Sequence, residues 1–391
     1  MTDVEDLAAD AVAVLEQLVA FDTTSRRTNL ELIEYAEARL RACGASLQRV
    51  ANADGSKANL IARIGPAVDG GVLLSGHTDV VPVDGQAWTS DPFVLTRRAD
   101  RLFGRGTADM KGFLALALAL APRLNAAALE TPVQFAFTYD EEIGCLGAPG
   151  LIRELTASGP RPATVIVGEP TSMEVVSGHK GIATHKVTVL GHEAHSSLTH
   201  LGVSAVMEAV PLMASLRDLA AALERAADPA SPFSPPGPTL TIGQVRGGTA
   251  VNILARECVF LFDLRVPPGA DTDRILEPFF AQAAALDSRL KSRSADCGVV
   301  VERRSGAPPM GPEAGGAAER LARGLAGDNG PTRVVSYAAE AGQFQEAGFS
   351  TVICGPGSIE QAHQPDEYLD VSQLERGAAF MARLAEAAGR P

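Results

Sequence analysis

Short, almost wholly apolar runs alternate with helical patterns through the first half of this 391-residue chain. Glycine, proline, aspartate or asparagine bounds each run, which predicts strands rather than buried helices. Apolar strands separated by helices are typical of a largely parallel sheet covered on both faces. We therefore predict an α/β domain with helices over about 4–20 and 28–43 and a buried helix after Asp109. The four clearest strand runs are ANLIARIG, GVLLSGH, VQFAFTY and ATVIVGE.

The pattern changes near residue 180, where strands begin to alternate between apolar and polar residues. The order of elements becomes β-α-β-β-α-β, with a proline-rich connector, SPFSPPGP, after the first helix. This is the order of a four-stranded split βαβ sandwich. The chain then returns to α/β character. We predict a smaller α+β domain at 180–304, inserted into a larger domain made of residues 1–179 and 305–391.

Composition limits the classes of partner. Acidic residues outnumber basic ones by 47 to 34, for a formal net charge of −13, and such a field repels phosphate backbones. No apolar stretch reaches membrane-spanning length, and the N-terminus lacks the pattern of a signal peptide. The five cysteines are odd in number and widely spaced, which favours reduced thiols. We expect a cytoplasmic globular enzyme without nucleic-acid or membrane partners.

Histidines and acids stand where the predicted strands end. His77 closes one run, and the carboxylate of Asp79 could accept its second ring N–H and fix the tautomer. Taken singly, each such residue has an ordinary explanation as a helix cap, a turn histidine or a solvated acidic loop. The other members of the set are Asp109, Asp140, Glu141, Glu142, Glu169 and His363.

Taken together, these residues fall at the carboxyl ends of successive strands, where open α/β folds place their functional sites. A mixed set of imidazole and carboxylate ligands suits Zn²⁺, with Co²⁺ or Mn²⁺ as alternatives. The sequence has no HExxH motif and no CxxC pair to offer a competing site. The sequence therefore predicts a metal centre at this edge of the sheet.

Several motifs, in their order and spacing, resemble one enzyme family over nearly the whole chain. The family is that of the dinuclear-zinc aminoacylases, carboxypeptidases and deacylases. The resemblance implies amide hydrolysis with two Zn²⁺ per subunit, Co²⁺ being an alternative. The inserted domain is similar to the family's lid or dimerisation domain, which implies a homodimer. The motifs that carry the resemblance are His77-Thr78-Asp79, GRGTADMKG, DEEIG, GEPT and the late His363.

The resemblance also implies how the metals are held. Asp109 would be the carboxylate that bridges both ions. His77 and Glu169 would complete one metal. Glu142 and His363 would complete the other.

Further residues receive catalytic or binding roles from the resemblance. Glu141 would be the general base, taking a proton from the metal-bridging water and passing it to the leaving amine, with Asp79 in support. His195, from the inserted domain, would stabilise the tetrahedral oxyanion, in its own subunit or in the partner. Asn252 and Arg265 would contact a substrate carboxylate. Without the resemblance, these last three residues would be an exposed loop histidine, a capping asparagine and a surface arginine.

Three segments narrow the substrate. VGEPTSMEVVSGHKG, FQEAG and CGPGSIEQAHQPDEYL are most similar to family members that release acetate from N-acetylornithine in arginine biosynthesis. Two positions depart from the pattern: Ala338-Ala339 replace a common Gly-Thr pair before Glu340, and Ala255 stands where proline is frequent. The lost hydroxyl removes a candidate substrate hydrogen bond. N-succinyl-diaminopimelate, N-acetylcitrulline and dipeptides stay open as substrates. So do a metal-binding protein without catalysis and a structural protein with scattered surface acids.

Overall fold

The computed structural model describes residues 3–125, 129–157 and 159–389 of the protein. The helices in this part of the chain are α1 (Asp3–Ala20), α2 (Leu30–Ala42), α3 (Gly112–Asn125), α4 (Ala148–Ala157), α5 (Ala205–Arg225), α6 (Thr272–Arg293), α7 (Ala317–Ala326), α8 (Ala341–Glu346) and α9 (Val371–Ala388). None of these helices is long and apolar enough to cross a membrane.

The strands carry the labels used below. They are β1 (Ser46–Ala51), β2 (Ala58–Ile64), β3 (Val72–His77), β4 (Thr96–Arg98), β5 (Arg101–Phe103), β6 (Val133–Thr138), β7 (Thr164–Val167), β8 (Val176–His179), β9 (Gly181–Leu190), β10 (Thr239–Gly247), β11 (Glu257–Val266), β12 (Gly298–Ala307), β13 (Arg333–Val335), β14 (Ser350–Ile353) and β15 (Tyr368–Asp370).

The chain forms two compact units. The larger contains the described residues up to Gly178, then Met310–Val334 and those from Ala339 onward. The smaller contains His179–Pro309 and Val335–Ala338. The division therefore falls at 178/179 and 309/310, compared with 179/180 and 304/305 from the sequence.

An eight-stranded sheet in the order β1-β2-β6-β3-β7-β14-β8-β13 organises the larger unit. Pairing is parallel from β6 through β3 and β7 to β14, and antiparallel at β1–β2, β2–β6 and β14–β8. Strands β3, β6 and β7 are buried along their whole length, as their apolar sequences predict. The predicted α/β sheet is confirmed, with its parallel strands at the centre.

Helices α1, α3 and α9 pack together into one core of the larger unit. Every residue from Gly112 to Ala121 of α3 is buried, as expected of a helix that is apolar on all sides. Gly377 of α9 lies directly against α3, since a Cβ atom there would lie 2.3 Å from Cδ1 of Leu116. The sequence pattern after Asp109 thus predicts this buried helix correctly.

The smaller unit is an antiparallel sheet in the order β10-β11-β9-β12, with α5 and α6 packed on it. Residues of β9 alternate strictly between buried and half-buried positions. The alternation buries one face, where Val187, Phe260 and Leu264 meet Leu212 and Phe279 of the helices. The predicted split βαβ arrangement of four strands is confirmed.

A third sheet, β15-β5-β4, was not predicted from the sequence. Its strands are three residues long and mostly polar, so no apolar pattern marks them. Tyr368 pairs with Phe103, and Asp370 pairs with Arg101. This sheet attaches the chain just after His363 to the segment that precedes Asp109.

Candidate metal centre

Three neighbouring strands of the central sheet lead to possible ligands at one edge. Strand β3 ends at His77, β7 is followed by Glu169, and β6 is followed by the turn that carries Glu141 and Glu142. The three strands are parallel neighbours, so their carboxyl ends meet. The side chains of His77 and Glu169 are buried, and that of Glu142 is 6% exposed.

Asp109 lies between the two predicted histidine ligands. Its Oδ1 is 3.0 Å from Nε2 of His77, and its Oδ2 is 3.4 Å from Nε2 of His363. Nε2 of His77 is also 3.9 Å from Oε1 of Glu169, and Nε2 of His363 is 2.9 Å from Oε2 of Glu142. The structure therefore brings all five predicted ligands together, in two groups that share Asp109.

The donor atoms of this cluster suit a cation. The cluster contains two sets of three residues, and within each set one donor atom per residue lies within 4.8 Å of the other two. The sets are His77, Glu141 and Glu169, and His77, Asp109 and Glu142. Within the described part of the chain, the buried Oε1 atoms of Glu142 and Glu169 have no hydrogen-bond partner. Buried carboxylate oxygens without partners are costly unless a cation binds them, so the cluster fits a metal pair.

Burial also changes the protonation of the acids. Burial, opposed by the charge of His77 and assisted by the nearby carboxylates of Glu142 and Asp109, raises the pKa of Glu141 to about 8. Burial and the charge of Asp109 likewise raise the pKa of Glu142 to about 7 and that of Glu169 well above its usual range. Without a cation, these groups tend to keep their protons at neutral pH.

The histidines and the central aspartate have the opposite electrostatic environment. Hydrogen bonds to Asp109 and Glu142 raise the pKa of His363 to about 10. Burial by itself would lower the pKa of His77, but hydrogen bonds to carboxylates raise it well above its usual range. For Asp109, burial raises the pKa, but hydrogen bonds with both histidines outweigh burial and lower it. Contact with both histidines therefore favours the charged form of Asp109.

Asp79 faces the His77 ring with both its main-chain oxygen and its carboxylate, and the main-chain oxygen is the closer of the two. The ring Nδ1 of His77 is 2.8 Å from the main-chain oxygen of Asp79 but 3.6 Å from its Oδ1. The carboxylate instead accepts the Ser25 hydroxyl at 2.7 Å and the backbone N–H groups of Glu141 and Glu142 at 3.1 and 3.3 Å. The backbone carbonyl reaches the ring first, which leaves the carboxylate to hold the turn that follows β6.

Two functional neighbours are absent from the sequence-based set. Glu340 is fully buried and accepts the hydroxyls of Ser75 at 2.6 Å and Thr138 at 2.8 Å. These two hydroxyls belong to β3 and β6 and interrupt otherwise apolar strands, a signal that a buried acceptor lies nearby. Cys145 donates its thiol to Oε1 of Glu141 across 3.2 Å. A cysteine in a loop carries no comparable signal.

The three predicted residues of the smaller unit occupy exposed or half-buried positions. His195 is exposed, and its Nδ1 lies 2.8 Å from the Ser197 hydroxyl. The chain around Asn252 lies beside it, because His195 forms a β-bridge with the next residue along. Arg265 lies on β11, where its Nε is 3.1 Å from both carboxylate oxygens of Asp263. The structure thus brings His195 and Asn252 together, and it gives Arg265 an acidic partner within the same unit.

Sequence comparisons extend over almost the whole chain. Residues 73–387 match the profile of Peptidase family M20/M25/M40. The chain is 37% identical over 383 residues to an acetylornithine deacetylase of Myxococcus xanthus, covering 95% of each chain. It is 34% identical over 374 residues to an acetylornithine deacetylase of Proteus mirabilis, covering 94% of this chain and 92% of the relative. These matches confirm the family that the sequence motifs indicate.

The fold agrees with a solved structure. The M20 family metallo-carboxypeptidase Sso-CP2 of Sulfolobus solfataricus superposes with a TM-score of 0.75 over 97% of this chain and 99% of that one, at 16% sequence identity. The two histidines and four acids of the cluster therefore lie in a protein whose sequence and fold both match known proteins. The chain belongs to Peptidase family M20/M25/M40.

Proposed function

We propose that this protein hydrolyses N-acyl amino acids in a metal-dependent reaction and acts on N-acetylornithine, releasing acetate and ornithine. The observation that carries the reaction class is Asp109, whose two oxygens face different imidazoles, with a further, half-buried carboxylate, Glu141, close to His77. The substrate is supported by the acetylornithine deacetylases that share 34–37% identity with this chain. A succinylated diaminopimelate or a dipeptide is the alternative substrate, and it has less support.

The cluster can hold two divalent cations. Asp109 would join them, with His77 and Glu169 on one side and Glu142 and His363 on the other. Imidazole nitrogens with carboxylate oxygens are a donor set for Zn²⁺, and Co²⁺ is a plausible substitute. When bound, such ions polarise the scissile carbonyl and lower the pKa of a water molecule.

Glu141 performs the proton transfers in this proposal. Its carboxylate would accept a proton from the attacking water and return that proton to the leaving amine nitrogen. The Asp79 carboxylate holds the backbone N–H of Glu141, and the Cys145 thiol donates to the Glu141 side chain. Both contacts orient the base. A single positioned base contributes roughly 10²–10⁴-fold to the rate of such a reaction.

The smaller unit would complete the reaction site as a lid. His195 has its ring exposed and its Nδ1 close to the Ser197 hydroxyl, so Nε2 is free in this unit to stabilise an oxyanion. Asn252 and Arg265 would bind the substrate carboxylate. Because Arg265 already pairs with Asp263, the substrate would have to compete with or extend that ion pair.

We also propose a cytoplasmic homodimer formed through the smaller unit. Strand β10 lies at the edge of its sheet, with Val245 53% exposed. Helix α5 exposes Met207 and Val210. An unpaired edge strand and exposed apolar side chains favour association with a second copy. The five cysteines are all buried and free, which supports a reducing compartment.

The direct test is acetate release from N-acetylornithine, measured with and without a chelator and compared with a panel of N-succinyl and dipeptide substrates. Activity that resists complete metal removal would contradict the metal-dependent reaction. Comparable rates on several acyl donors would contradict the narrow substrate.

A second experiment separates metal binding from proton transfer. Glu141→Gln should keep the metal content of the wild type and lose activity by roughly 10²–10⁴-fold. Glu360→Gln is a matched control, because Glu360 is an exposed acid in the loop that carries His363. Full activity in Glu141→Gln would remove Glu141 from the mechanism.

A further inference from the structure

A buried ion pair, Arg105–Glu367, contacts both the turn that carries Asp109 and the loop that carries His363. Arg105 and Glu367 are each 1% exposed, and Nη1 of Arg105 donates to Oε2 of Glu367 across 2.6 Å. Neither residue belongs to the predicted set of site residues. A buried pair of this kind adds little net stability, because desolvation of both charges opposes their attraction. Its contacts to neighbouring groups therefore matter more than its own energy.

One side of the pair holds the backbone of the bridging carboxylate. Oε1 of Glu367 accepts the N–H groups of Ala108 at 2.9 Å and Asp109 at 3.1 Å. Asp109 lies in the short turn Thr107–Lys111, which follows Gly106, and its backbone dihedral angles are not helical. Glu367 therefore supplies a side-chain acceptor for two N–H groups at this irregular turn.

The other side of the pair holds the loop that carries His363. Arg105 donates from Nη1 to the carbonyl of Gln364 at 3.4 Å and from Nη2 to Oε1 of Gln86 at 2.5 Å. Gln86 in turn donates from Nε2 to the carbonyl of His363 at 2.8 Å. His363 has a φ of 63°, a conformation that a non-glycine residue keeps only when its surroundings hold it.

Trp88 adds two further contacts to this network. The guanidinium of Arg105 lies 5.0 Å from the ring of Trp88, whose Nε1 donates to Gln86 at 3.0 Å. A planar guanidinium can serve several acceptors and one aromatic face at once, which a lysine ammonium cannot do. Arg105 is therefore the common point of contact for the segment before Asp109 and the loop around His363.

We propose that Arg105 and Glu367 are positioning residues that set the separation between Asp109 and His363, and thereby the affinity of the metal held between them. The proposal rests on the metal pair of the proposed function. Strand β3 places His77 independently of this network, so the metal on the His77 side depends on it less. Loss of either residue should lower the affinity for the ion on the His363 side selectively, by about 10–100-fold, as is typical when partners of metal ligands are removed.

The test compares two conservative variants with a control. Glu367→Gln keeps the shape of the side chain, but one amide cannot accept the two N–H groups and also accept from Arg105. Arg105→Lys keeps the charge and loses the fork. Arg217→Gln is the control, because Arg217 forms an exposed ion pair with Asp218, at 2.8 Å, on helix α5 of the smaller unit.

The measurement is Zn²⁺ content after dialysis against chelators of graded strength, with thermal unfolding to verify the fold. Wild type and Arg217→Gln should retain two ions where Glu367→Gln and Arg105→Lys retain one. Excess Zn²⁺ should restore kcat in both variants without changing KM for N-acetylornithine. Emission from Trp88, the only tryptophan of the chain, should shift in Arg105→Lys.

Two results would overturn the inference alone. One is a folded variant that retains both ions with wild-type affinity. The other is a parallel loss of both ions that follows a lowered unfolding temperature, since that would be general destabilisation. A wild-type protein that binds fewer than two ions would instead overturn the proposed function, and this inference with it.

Discussion

The two histidines of the metal cluster are held by different kinds of structure. His77 ends a buried strand and is 1% exposed, whereas His363 lies in a loop with its side chain 50% exposed. Parallel strands flank β3 on both sides, so hydrogen-bond ladders fix the position of His77. The backbone carbonyl of His363 is instead held by the side chain of Gln86. The half of the site around His77 is therefore positioned by the central sheet, and the half around His363 is positioned by individual polar contacts.

This difference separates two kinds of failure. A change near His77 alters the sheet edge itself and should appear as lost stability or loss of the whole site. A change near His363 leaves the sheet intact and should appear as lower affinity for one ion. Stability and metal content are therefore the two measurements that distinguish the halves.

The largest effect is expected for His77→Ala. A ring nitrogen of His77 belongs both to the set of donor atoms with Glu141 and Glu169 and to the set with Asp109 and Glu142. We therefore expect the variant to retain neither ion and to lose activity by roughly 10³-fold or more, the equivalent of about 4 kcal/mol. His363→Ala should retain one ion, and excess Zn²⁺ should recover part of its activity. Metal analysis of both variants decides the matter. The reverse pattern, with one ion in His77→Ala and none in His363→Ala, would break the comparison.

The next effect concerns stability on the strand side. Glu340→Ala removes the shared acceptor of the Ser75 and Thr138 hydroxyls, and we expect the free energy of unfolding to fall by about 1–3 kcal/mol. Metal affinity of the folded variant should stay within a few-fold of wild type. Denaturant titration and metal content measure the two quantities. Selective loss of one ion without loss of stability would contradict the assignment of Glu340 to the strand side.

The pH dependence should expose the protons that the cluster carries without metal. The folded protein raises the pKa of Glu142 to about 7 and of His363 to about 10, so it holds more protons than the unfolded chain. The metal-free protein should therefore lose stability as pH rises from about 5 to 8. Zn²⁺ displaces these protons, so the rise in Tm on adding Zn²⁺ should be larger at pH 8 than at pH 6. Equal rises at both pH values would contradict this.

The smallest effect is expected from a matched pair of single hydrogen bonds. Gln86→Ala removes the donor to the His363 carbonyl and should weaken one ion by a few-fold. Ser25→Ala removes one donor to Asp79 and should lower stability by about 1 kcal/mol with both ions kept. Competition with a chromogenic chelator resolves few-fold changes in affinity. Indistinguishable effects of the two substitutions on metal binding would remove the distinction between the halves.

The strand half of the site was also the more predictable half. Apolar runs that end in His77, in the Glu141-Glu142 turn and before Glu169 indicate both the sheet and the edge where these side chains meet. Parallel pairing then follows from the alternation with helices. His363 joins the set only as a histidine in a polar loop, which carries no periodicity, and its assignment to one metal rests on the family resemblance. The three-residue strands β4, β5 and β15, which attach this loop, left no pattern either.

The buried charges could not be predicted for a related reason. Arg105 lies in the glycine-rich segment GRGTADMKG, and Glu367 lies in the polar segment QPDEY, and both compositions are typical of exposed loops. Glu340 stands among alanines, where a single acid would ordinarily cap a short helix. Only the folded chain shows that each of these groups is enclosed and has specific partners. The main-chain oxygen of Asp79 lies nearer to the His77 ring than its carboxylate does, and spacing along a strand does not distinguish a side-chain acceptor from a backbone one.

The larger unit is made of segments before and after the smaller one, and this affects the order in which parts of the protein can fold during synthesis. Helix α3, apolar on every side, precedes by some 250 residues the helix α9 that packs against it. The smaller unit is nearly contiguous from His179 to Pro309, so it can fold on the ribosome while α3 still lacks its partner. His363 also emerges in this last portion. The nascent chain therefore carries an apolar helix that is only partly covered, by α1 and the strands already made, and an unfinished acidic cluster until late in translation.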